Sequence, residues 1–108
     1  MPPRFVVNSG LPECMILCCP VCGCDYVHPE QVAVDQGGTR SVVARESMMV
    51  TANDRPNNRR GSVVALRFWC EEGHGFEYRY TFHKGQLICE LSSWRLPVGQ
   101  PPSELWRS

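Results

Sequence analysis

The chain has 108 residues, with 11 Lys and Arg against 11 Asp and Glu, so its formal net charge is zero. That length fits one domain, and a composition of 43% apolar and 20% charged residues excludes collagen-like, wholly disordered and coiled-coil chains. Zero net charge also argues against a protein that holds nucleic acid by bulk positive charge.

Residues 1–13 carry Pro2, Pro3 and Pro12 and little periodicity, and read as an N-terminal arm. No apolar run of signal-peptide length follows a basic start. No segment approaches the roughly 18 apolar residues that span a bilayer. The expectation is a cytoplasmic chain without a membrane partner. Seven cysteines is the unusual figure. An odd count cannot close fully into internal disulfides, and in a reducing setting clustered cysteines more often bind metal.

The first such cluster opens the domain assigned to residues 14–92. In Cys19-Pro20-Val21-Cys22-Gly23, two thiols separated by two residues can face one ion from a tight turn. A glycine after the second cysteine tolerates the positive φ that lets backbone N–H groups approach the sulfurs. Alone, the motif is modest evidence, because a redox pair has the same spacing.

Strands follow, with no convincing helix. Val27, Val32 and Val34, interrupted by Pro29, suggest a strand over residues 26–35 entered through a turn. Residues 41–51, with Val42, Val43, Met48, Met49 and Val50, fit either a strand or a short helix, and periodicity does not decide between them. Residues 53–61 are turn formers without an apolar side chain and read as an exposed loop.

The clearest signal comes next. Val64, Leu66, Phe68 and Cys70 alternate with Val63, Ala65, Arg67 and Trp69. Phe76, Tyr78, Tyr80 and Phe82 then alternate with Glu77, Arg79, Thr81 and His83. Period two with aromatic and β-branched content marks half-buried antiparallel strands, and Leu87, Cys89 and Leu91 extend the pattern to a third. The first two are joined by Cys70-Glu71-Glu72-Gly73-His74, a turn that offers a cysteine and a histidine.

Cys19, Cys22, Cys70 and His74 together make a Cys₃His set, a common closed zinc environment. Two ligand pairs on two separated turns of a β-rich chain predict a zinc ribbon: a small all-β fold with a three- to five-stranded antiparallel sheet and one structural Zn²⁺. A structural zinc contributes on the order of 10 kcal/mol of apparent folding free energy, which would decide the fold of so small a core. His28, Cys18 and Cys24 are alternative ligands. Their simpler roles are a packing histidine and buried or free thiols. Cys14 and Cys89 read as core or edge residues, and His83 as a solvated turn histidine. Residues 93–108 read as a Pro-rich C-terminal tail, within which Trp94 and Trp106 either fold back on the domain or dock a partner.

The segments Cys19-Pro20-Val21-Cys22-Gly23-Cys24-Asp25-Tyr26-Val27-His28, Arg67-Phe68-Trp69-Cys70-Glu71-Glu72-Gly73-His74 and Phe82-His83-Lys84-Gly85 resemble a group of short zinc-ribbon proteins of bacteria and their phages. The likeness covers residues 17 to 90. It implies a zinc-bound β-ribbon, with His28 and His83-Lys84-Gly85 among the recurring features, and no particular activity.

The expected function is therefore binding: a zinc-stabilised β platform for a protein or nucleic-acid partner. Arg55, Arg59, Arg60 and Arg67, with Trp69 nearby, are the candidate nucleic-acid contacts, since basic groups beside an aromatic strand can hold phosphate and stack a base. An adaptor subunit of a phage or bacterial assembly is the alternative. A zinc- or thiol-dependent enzyme is the remaining class. Four good ligands leave no open coordination position, and no nucleophile elbow, P-loop or dinucleotide fingerprint is present.

Overall fold

The computed structural model describes residues 3–7, 14–44, 47–52, 62–99 and 104–105. The expected loop 53–61, with Arg55, Arg59 and Arg60, and Trp106 lie outside them. Within them the chain is all-β: β1 (Arg4–Val7), β2 (Met15–Cys18), β3 (Val27–Gln36), β4 (Thr39–Ala44), β5 (Ser47–Ala52), β6 (Val63–Cys70), β7 (His74–His83) and β8 (Gln86–Arg95). No helix among the described residues is long and apolar enough to cross a membrane.

Strands β3 to β8 form one antiparallel sheet in the order β5-β4-β3-β6-β7-β8, and β1 and β2 form a separate two-stranded sheet. The large sheet is two three-stranded meanders joined side by side where β3 meets β6. It has six strands, one more than the upper end of the sequence expectation. The difference lies in residues 41–51, whose described parts, 41–44 and 47–51, are strand: Val42 pairs with Met49 and Val43 with Met48. A segment too short and apolar to show a period takes its conformation from its neighbour, and here β3 supplies the ladder for β4.

Two further boundaries move. Arg4–Val7, inside the N-terminal arm, pairs with Met15–Cys18. Residues 93–95, grouped above with the tail, complete β8, with Arg95 paired to His74. Neither stretch has an alternation of its own, and in each case a more strongly patterned strand satisfies its backbone groups.

Register explains the two faces of the sheet. On one face Phe68 sits opposite Phe76, and Leu66 opposite Tyr78, which in turn faces Leu91. Phe68 and Phe76 stack at 5.5 Å, and Tyr78 meets Phe76 edge-on at 5.9 Å. Phe76 and Tyr78 join Cys19 and Cys70 as the buried cluster, with Leu17, Cys24 and Val27 packed against it. The core therefore sits at one corner of the sheet, packed by Leu17 of β2 and the first cysteine turn.

The opposite face combines ion pairs with the buried small residues Ala33, Ala65 and Thr81. Arg67 reaches Glu77 at 3.3 Å, Arg79 reaches the same carboxylate at 3.8 Å, and Arg40 reaches Asp35 at 3.2 Å. Trp94 folds back on this face. It lies against Gly75, and the Arg67 guanidinium sits over its ring at 5.2 Å from the centroid. Of the two roles open to this tryptophan, the packing one is realised.

Candidate metal centre

Both cysteine turns are tight and similarly built. In the first, the Gly23 N–H donates to the Cys19 carbonyl at 2.9 Å, and the Cys19 N–H donates to the Cys24 carbonyl at 2.8 Å. In the second, the Gly73 N–H donates to the Cys70 carbonyl at 3.1 Å. Gly23 and Gly73 hold φ of 79° and 93°, a region that a side chain would strain. The turns are also tied to their surroundings. The Glu71 N–H donates to the Tyr26 carbonyl at 3.3 Å, and the Leu96 N–H donates to the Gly73 carbonyl at 2.9 Å.

Sequence distance disappears at this corner. The ligand atoms of Cys19, Cys22, Cys70 and His74 all lie within 4.8 Å of one another. Cys22 Sγ is 3.8 Å from Cys70 Sγ, and Cys70 Sγ is 3.6 Å from His74 Nδ1. A tetrahedral zinc site with Zn–S of about 2.3 Å and Zn–N of about 2.0–2.1 Å has S···S edges of about 3.8 Å and S···N edges of about 3.5–3.6 Å. The donor set and these two edges fit such an ion.

Cys19 and Cys70 are fully buried, and Cys22 is exposed. Burial pushes the Cys70 thiol up to about 12, although backbone N–H groups of His74 and Glu72 oppose the rise. A thiol held neutral in this way is a poor nucleophile, whereas a bound cation would supply the charge that favours the thiolate.

The alternative ligands stand elsewhere, and the close donor group excludes them. Cys18 is buried and points its thiol at the Ile16 carbonyl at 3.7 Å. Cys24 points at the Tyr26 carbonyl at 3.7 Å and packs at the core edge. Cys14 and Cys89, read as core or edge residues, are both exposed. Cys89 lies on the edge strand β8.

His28 takes the packing role read for it, with partners that the sequence did not name. Its ring stacks on Trp69 at 4.3 Å and sits between two carboxylates, with Nε2 3.0 Å from Glu71 and Nδ1 3.6 Å from Glu104. The neighbouring Leu105 N–H donates to the Pro29 carbonyl at 2.7 Å. His28 thus links the second cysteine turn to the returning C-terminal segment. No local signal could have found this, because the partners are 43 and 76 residues away in the chain.

His83 ends β7 at an exposed position. Arg67, the one candidate nucleic-acid contact among the described residues, is engaged by Glu77 and Trp94. Comparison with known protein families, with curated proteins and with solved structures returns no match.

Proposed function

We propose that this chain is a zinc-ribbon binding module in which Cys19, Cys22, Cys70 and His74 hold one structural Zn²⁺. The observation that carries the reading is the convergence of three thiols and an imidazole within 4.8 Å, with edges of 3.8 and 3.6 Å. Four protein ligands complete a tetrahedron and leave no position for substrate, which favours a structural ion over a catalytic one.

The partner is a protein rather than a nucleic acid in this reading. Arg67 is held on one face of the sheet by Glu77, and the opposite face exposes Met48, Val50, Phe82 and Leu87. Met48 and Val50 lie at the β5 edge and Phe82 and Leu87 at the β7–β8 side, and exposed apolar side chains such as these favour protein contact.

Metal analysis of the purified chain tests the proposal. One zinc per chain is expected, lost on substitution of any one of the four ligands and retained in His28→Ala. A chain that folds with the same stability after complete chelation would overturn the structural role.

A further inference from the structure

We infer that Glu104 and Leu105 form a latch on the metal turn: acting through His28, they hold the turn that carries Cys70 and His74 in its ligating position and slow the loss of zinc. The inference rests on the reading of the four ligands as a zinc site and concerns how firmly that site keeps its ion.

Two of the four ligands, Cys70 and His74, bracket the second turn, and both must stay in place for the ion to be kept. The tip of this turn has little packed against it. Glu71 and Glu72 are exposed, and an open cleft of about 450 Å³ is lined by the turn and by residues 95–99. The position of the tip therefore depends on a few directed ties. On the β8 side, the Leu96 N–H donates to the Gly73 carbonyl at 2.9 Å. On the β3 side, the Glu71 N–H donates to the Tyr26 carbonyl at 3.3 Å, and the Glu71 carboxylate lies 3.0 Å from His28 Nε2.

His28 is itself held. It stands opposite Trp69 on the β3–β6 ladder and stacks on that indole at 4.3 Å. Its Nδ1 faces Glu104 at 3.6 Å, and the Leu105 N–H donates to the Pro29 carbonyl at 2.7 Å, which fixes the neighbour of Glu104 beside the neighbour of His28. With a carboxylate at each nitrogen, the imidazole has one orientation. Loss of Glu104 frees the ring to turn and loosens its hold on Glu71. Groups behind the ligands orient them in this way, and their removal weakens a metal site without removing a ligand. Two described stretches beyond β8 thus meet the same turn, Leu96 directly at Gly73 and Glu104 through His28 at Glu71. His28 and Glu104 are positioning residues for the metal turn.

Transfer of zinc from the intact, zinc-loaded chain to an excess of a colour-forming chelator, under reducing conditions, tests the latch. Glu104→Ala removes the carboxylate, and Leu105→Pro removes the N–H that binds the Pro29 carbonyl. Each should keep one zinc per chain and the native circular dichroism, and should release the ion about three- to tenfold faster than wild type, the scale of one net hydrogen bond. His28→Ala should do the same. Glu104→Ala added to His28→Ala should bring no further acceleration, because Glu104 acts through that ring, whereas independent structural losses would accumulate. Should Glu104→Ala lose the native spectrum, Glu104→Gln replaces it with the same expectation. Wild-type release rates in Glu104→Ala and Leu105→Pro, or additive effects in the double variant, with one zinc per chain throughout, would overturn the latch and leave the metal site standing. A wild-type chain that binds no zinc would overturn both.

Discussion

The two ends of the sheet are built differently. Around the cysteine turns, Cys19, Cys70 and Phe76 are fully buried, and two β-layers meet. At the far end of β7 and β8 the same sheet carries Phe82 at 52% and Leu87 at 62% exposure, on strands with equally regular hydrogen bonding. Ladder regularity therefore does not measure local stability here. What differs is whether something covers the apolar face, and at the cysteine corner the covering residues are Leu17 of β2 and Cys19 and Cys24 of the first cysteine turn. On the proposed reading, an ion held by the cysteine turns at one corner secures a sheet whose remainder has little core beneath it.

Substitutions can break this contrast in order of size. Cys70→Ser removes a buried ligand, and the loss of zinc should cost on the order of 10 kcal/mol of apparent folding free energy, enough to unfold the domain. Circular dichroism with metal analysis checks it, and a folded, zinc-free variant would make the two ends equivalent. Next, Phe76→Ala should destabilise by about 3–5 kcal/mol, because it empties the buried corner. Phe82→Ala, on the same strand and face, should cost under about 1 kcal/mol. Urea denaturation of both variants reads the difference directly.

Gly75→Ala should cost about 1–3 kcal/mol through overpacking, because a Cβ there overlaps the Trp94 indole. The penalty should shrink in a Trp94→Ala background, and a double-mutant cycle with no coupling would argue against that contact.

The smallest effect sharpens the picture of the buried corner. The Tyr78 hydroxyl is buried without a hydrogen-bond partner among the described residues. Burial chiefly, with nearby Tyr80, Cys89 and Cys19 adding, pushes its phenol up to about 12 from an ordinary value of 10.0. The fold prefers the protonated form, so the unfolded chain loses its proton first. The contribution of Tyr78 is fully present below about pH 10 and is lost as the pH rises toward about 12. Tyr78→Phe should flatten that alkaline decline and change stability at neutral pH by under about 1 kcal/mol. Melting temperatures from neutral pH upward test it, and an unchanged alkaline slope would remove Tyr78 from the account.

Much of the site was legible before any fold was known. A thiol pair and a thiol–imidazole pair in glycine-bearing turns are local facts, and strand alternation on either side of residues 70–74 put the second pair in a hairpin turn. The ambiguous parts were those without a period of their own. Residues 41–44 and 47–51, and Arg4–Val7, became strands because neighbouring strands stood beside them with backbone groups to satisfy. Cys89, read as a core or edge residue, lies on the edge strand, and it and Cys14 are exposed, since covering a cysteine depends on what crosses above it.

By itself, then, the sequence determined the ligand types, the two turns that carry them and the faces of β6 and β7, because each is set within a few residues by spacing and alternation. The tertiary structure decided which cysteines stand together, the strand count and order, the position of His28 between Glu71 and Glu104, and which part of the apolar face is covered. Those depend on contacts between residues far apart in the chain, and no local pattern encodes the layer that comes to lie on top.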